Sequence, residues 1–103
     1  MNLRIELNSR QGIKIYEFDY IQNLLLVNGK AVEKDISRLY ADIMDLIKTW
    51  PKELTNLEIV DGLSLKISYR EKGKEIIHNF INKFPENFDE LSLILEEVEN
   101  AVE

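Results

Sequence analysis

The chain has 103 residues, 45% hydrophobic and 31% charged, with a formal charge of −6. These proportions are those of a globular chain rather than a disordered one, and the length fits a single domain over residues 1–103. With no cysteine there is neither a disulfide framework nor thiolate chemistry, which fits a reducing cytoplasm.

The opening Met1–Leu7 reads as a strand, with Leu3, Ile5 and Leu7 alternating, rather than as a secretory signal. The longest purely apolar run, Leu24 to Val27, is far too short to span a bilayer. After the turn cluster 8–12, Ile13 to Tyr20 predicts a second strand. Its apolar register changes from Ile13 and Ile15 to Tyr16, Phe18 and Tyr20, which implies a bulge or burial on both sides. Leu24–Val27 is a third strand. Asn28-Gly29 is the strongest hairpin signal in the chain, with Lys30–Lys34 as the return. Asp35 is a candidate N-cap. Ile36, Leu39, Tyr40, Ile43, Met44, Ile47 and Trp50 then make a helical stripe that Pro51 stops.

Leu57 and Ile59 lead to Asp61-Gly62, a turn in which glycine would supply the unusual φ. Leu63, Leu65, Ile67 and Tyr69 alternate with polar residues, and Gly73 sits in a hairpin turn. Lys74 to Ile81 returns with apolar residues on both faces, as in a central or covered strand. Beyond Pro85, Asn87 with Glu90 has the spacing of a capping box. Phe88, Leu91, Ile94, Leu95, Val98, Ala101 and Val102 follow at helical spacing, with Leu93 off the stripe. The expected fold is α+β: a mostly antiparallel sheet of five to six strands with two helices packed on one face.

Asp61, Gly62, Ile67, Tyr69, Asn82, Pro85, Asn87 and Phe88 carry a resemblance. The stretch resembles an uncharacterised family of small domains from Gram-positive bacteria and their mobile elements. That family's pattern runs Asp-Gly-x-x-Trp-x-Leu-x-Ile-x-Tyr, a glycine hairpin, then Gly-x-Asn-x-x-Pro-x-Asn-Phe and a helix. Leu65 stands where the pattern has Trp, and Phe80 where it has Gly. The resemblance covers about a third of the chain, loosely extended by a helix ending near Trp50. It implies an α+β domain without an established activity.

Charge is unevenly placed. Residues 85–103 hold seven acidic side chains and no basic ones, so the excess negative charge sits on the last helix and its tail. A basic nucleic-acid-binding surface is therefore disfavoured. Asp89, Glu90, Glu96, Glu97 and Glu99 would form either a solvated face or a contact for a basic partner. Tyr16, Phe18 and Tyr20 would be core or edge residues, or an aromatic contact patch if they point outwards.

His78 is the only histidine, and on a strand it reads as a packed or surface residue. With no cysteine or second histidine, a zinc site of the usual type is unsupported. Ser64 and Ser68 lack a nucleophile-elbow context. Glu58 with Asp61, or Asp42 with Asp45, would be neighbouring carboxylates, but nothing in their spacing argues for opposed catalytic acids over solvent exposure. No catalytic residue, metal or cofactor is expected. The functional expectation is a small acidic, non-catalytic module that occupies the basic surface of a larger protein, without nucleic acid or membrane. Phage anti-defence inhibitors such as anti-CRISPR proteins, and nuclease immunity proteins, share this size and charge. The alternative is a structural or accessory domain, monomeric or homodimeric, without inhibitory activity.

Overall fold

A computed structural model describes residues 3–33, 35–56 and 62–101. Within them the strands are Leu3–Ser9 (β1), Gly12–Asp19 (β2), Leu24–Val27 (β3), Lys30–Ala31 (β4), Glu53–Thr55 (β5), Ser64–Glu71 (β6) and Lys74–Ile81 (β7). The helices are Ile36–Ile47 (α1) and Phe88–Asn100 (α2). The fold is α+β, with one mixed sheet of seven strands in the order β4-β3-β2-β1-β6-β7-β5. Every adjacent pair is antiparallel except β5 with β7, which run parallel. The expected five to six strands thus become seven among the described residues. The addition is β5, whose three residues are too few to show a period.

The registers put the apolar set on one face. Ile5 lies between Tyr16 and Ile67, Leu3 between Phe18 and Tyr69, and Leu65 between Leu7 and Phe80. β3 continues the layer with Leu25 opposite Phe18 and Val27 opposite Tyr16. Against this face α1 buries Ile36, Leu39, Ile43 and Ile47, and α2 buries Leu91, Leu95 and Val98. The three α2 side chains contribute on the order of 5–9 kcal/mol gross, before chain entropy is subtracted. The molecule measures 41 × 34 × 20 Å. Its short dimension matches one sheet plus one helical layer of about 10 Å each.

The opposite sheet face carries Arg4, Glu6, Lys66 and Ser68 on β1 and β6, and Ile13, Ile77 and Ile81 on the flanking strands β2 and β7. β2 contains no bulge, since its pairing with β1 runs unbroken from Leu3 opposite Phe18 to Ser9 opposite Gly12. The register change is instead a change of face: Tyr16 and Phe18 point into the core, while Ile13 and Ile15 share the other side with Asn8 and Glu6.

Asp35 caps α1 by accepting from Ser37 N–H at 3.0 Å, which lowers its carboxyl pKa. The helix ends at Ile47, and Thr49 and Trp50 close shorter turns onto Leu46 and Ile47 carbonyls. Trp50 is therefore in the exit turn rather than the helix, with its ring edge-on to Phe80 at 5.8 Å. Asn87 precedes α2 without a side-chain cap bond, so the capping box does not form. Phe84 stacks on Phe88 at 4.4 Å instead and fixes the entry of the helix by apolar contact. Asn28-Gly29 and Lys72-Gly73 each place two consecutive positive φ angles in two-residue turns, as tight hairpins require. The expected strand residues Leu57 and Ile59, and Asp61, Glu58, Lys34 and Val102, lie outside the described residues.

Candidate functional site

α2 places Asp89, Glu90, Glu96 and Glu97 on its exposed side, opposite Leu91, Leu95 and Val98. Leu93, 66% exposed, stands among them at offsets of three and four residues. Acidic Asp89 and Glu90 in the first turn also complement the helix dipole. This face is a carboxylate surface with one aliphatic side chain at its centre.

Glu99 is not part of that face. It is half-buried, pairs with Lys14 Nζ at 2.8 Å and accepts a hydrogen bond from the Tyr16 hydroxyl. Lys14 lies on the helix side of β2, opposite Leu7, so these contacts tie α2 to the first hairpin. Burial first, and the Glu99 carboxylate second, push the Tyr16 phenol well above its ordinary value. The spacing of Glu99 with the other acids offered no sign of this; only packing brings Lys14 beneath the end of α2.

The aromatic trio divides. Tyr16 and Phe18 are buried in the core and present no contact surface, because the β1–β2 register turns both toward the helices. Tyr20, past the end of β2, is 52% exposed and lies beside Ile21, which is 85% exposed. Its ring packs 5.2 Å from Tyr40 of α1. Tyr20, Tyr40, Met44, Lys48, Arg70 and Glu71 line a shallow open groove beside α1. Burial, then the neighbouring Tyr20, raises the Tyr40 pKa.

His78 is 3% exposed and faces the helices, opposite Ile67. Its Nδ1 is 2.8 Å from Pro51 O, so the Nδ1–H tautomer donates there. The ring stacks between Tyr69 at 5.8 Å and Phe80 at 6.1 Å. Its Nε2 and the Trp50 Nε1–H, both packed around Phe80, have no hydrogen-bond partner among the described residues. Ser64 and Ser68 lie on the other face of the sheet, so neither hydroxyl meets the imidazole. Asp42 pairs with Arg38 at 4.0 Å on the exposed side of α1. Among the described residues no group of three or more acids and histidines is placed to hold a metal ion. No helix among them is long and apolar enough to cross a membrane.

No protein-family model, curated protein or solved structure matches the chain.

Proposed function

We propose that the protein is a small non-catalytic binding module that occupies the basic surface of a larger protein, in the manner of phage anti-defence inhibitors or nuclease immunity proteins. The reading rests on one observation: Asp89, Glu90, Glu96 and Glu97 are exposed together around the exposed Leu93. A row of carboxylates imitates the phosphates that a nucleic-acid-processing enzyme binds, and it steers association toward a basic groove. Leu93 supplies a contact that salt does not weaken. The absence of cysteine supports a cytoplasmic setting for this role.

The test adds the protein to purified effector nucleases and nuclease toxins and measures cleavage from low to high salt. Inhibition that fades with salt is expected, because exposed charges are screened beyond about 8–10 Å. The combined change Asp89→Asn, Glu90→Gln and Glu96→Gln should weaken inhibition and flatten the salt slope. Unaltered inhibition at every salt concentration would remove the acidic face from the contact.

A second reading, a homodimeric accessory domain, is supported by Ile13, Ile77 and Ile81 exposed on the open sheet face. The charged residues between them, Arg4, Glu6 and Lys66, count against a dry contact there. Size-exclusion chromatography with light scattering separates the two: a dimer that dissociates when Ile77 and Ile81 become Thr favours the second.

A further inference from the structure

β5 covers only half of the outer margin of β7. Glu53, Leu54 and Thr55 pair with Asn79, Phe80 and Ile81, while β7 begins at Lys74. Asn79 N–H donates to Lys52 O at 2.8 Å, and Asn56 N–H donates to Ile81 O at 2.9 Å. Odd-numbered residues of β7 therefore turn their backbone groups outward. Alternation sends the N–H and C=O of Glu75 and Ile77 the same way. No backbone bond from another described residue meets either of them on that side.

The outer margin of β3 is paired along its length, and that of β2 is bonded as far as Ile15. Leu25 O accepts from Val32 N–H at 2.9 Å, and β4 pairs with Leu26 and Val27. Asn28 seals β2 at Ile15, donating its N–H to Ile15 O and accepting Ile15 N–H on its side-chain oxygen, both at 2.8 Å.

We propose that the margin of β7 over Lys74–Ile77 is a docking edge for one extended segment of a partner protein that carries a basic residue next to two apolar ones. Such a segment adds an eighth strand, with backbone bonds to Glu75 and Ile77 and side chains chosen by their neighbours. On the open face a lysine or arginine pairs with Glu75, and an apolar residue covers Ile77, which is 37% exposed. On the helix side an apolar residue meets the half-buried Ile76.

A second copy fits poorly. Antiparallel pairing of β7 on itself about Glu75 opposes two glutamates on one face. Pairing about Ile76 sets Gly73 opposite Asn79 of the other copy, where Glu53 already lies. The edge is on the sheet, remote in sequence from the acidic side of α2, and the inference stands whether or not that side binds a partner.

The probe is the peptide acetyl-Thr-Lys-Val-Val-Lys-Thr-amide, which offers the same pattern in either strand direction. Its binding is followed by amide NMR shifts and hydrogen exchange on the whole chain. In the free protein the amides of Glu75 and Ile77 should exchange faster than those of Ile76 and His78, which bond to β6. Peptide at ten times its dissociation constant should slow Glu75 and Ile77 about tenfold. The same peptide N-methylated at both valines should leave them unchanged. Ile77→Pro removes an outward N–H without touching the rungs to β6, and should abolish binding. Glu75→Lys, which needs no backbone change, should weaken it at least severalfold. No shift at millimolar peptide, shifts confined to α2, or equal binding of the N-methylated peptide would each overturn the proposal. So would protection of Glu75 and Ile77 in a dimer of the free protein.

Discussion

Asn82 Oδ1 occupies the space that a Cβ on Gly62 would need. The glycine is required here for room: positive φ falls at Gly12, Gly29 and Gly73, and Gly62 is not among them. Asn82 itself holds φ at 58° and donates its N–H to Leu63 O at 3.0 Å, while its Nδ2 donates to Asn56 O at 3.2 Å. This one side chain joins the start of β6, the end of β7 and the end of β5.

Gly62→Ala should therefore destabilise the fold by about 1–3 kcal/mol through overpacking. Adding Asn82→Gly restores the room and suits the positive φ, so the double variant should be more stable than the two single costs predict. Urea denaturation of the four proteins measures the coupling, and strict additivity would contradict the contact.

Leu91 and Leu93 separate the two sides of α2. Leu91 is fully buried, so Leu91→Ala should cost about 2–5 kcal/mol. Leu93→Ala should stay within about 0.5 kcal/mol of the parent, because its side chain already faces water. Equal denaturation midpoints for the two variants would remove Leu91 from the core.

The Tyr16–Glu99 contact makes stability fall at alkaline pH. The folded state keeps the Tyr16 phenol protonated to higher pH than the unfolded chain does, by burial and by the adjacent carboxylate. Its contribution is full below the unfolded value of about 10 and is lost above it, at up to about 1.4 kcal/mol per pH unit. Burial raises Tyr40 and Tyr69 in the same direction. Thermal unfolding between pH 8 and 11 should show this loss, and Tyr16→Phe should make it shallower. An identical pH profile for the Tyr16→Phe protein would show that the phenol is not held protonated by the fold.

Asn28 holds the β3–β4 turn through its conformation and ties it to β2 through its amide. Its φ is 50°, and its Oδ1 accepts Ile15 N–H. Asn28→Gly keeps the turn and loses the hydrogen bond, costing about 1 kcal/mol. Asn28→Ala loses the bond and also strains the backbone, and should cost about 1–2 kcal/mol more. Equal midpoints for the two variants would show that the positive φ carries no cost.

The elements of this protein were legible in its residue periods because local geometry dictates them. Leu63 to Tyr69 alternates as a pleated strand must, and Leu91, Leu95 and Val98 recur as one helix face must. Asn28-Gly29 and Gly73 marked their turns because few residues tolerate positive φ. The exposed acids of α2 were equally legible, since a helix buries only one stripe. Other relationships depend on parts distant in sequence. β7 inserts between β5 and β6 and makes a parallel pair that three residues cannot announce. Glu99 leaves the acidic set because packing brings Lys14 and Tyr16 to it. Tyr16 and Phe18 turn inward while Ile13 and Ile15 turn outward, because pairing with β1 sets which side of the pleat meets the helices. Local propensity chose the helices, strands and turns; tertiary packing chose their neighbours, and with them which charged, aromatic and backbone groups face solvent.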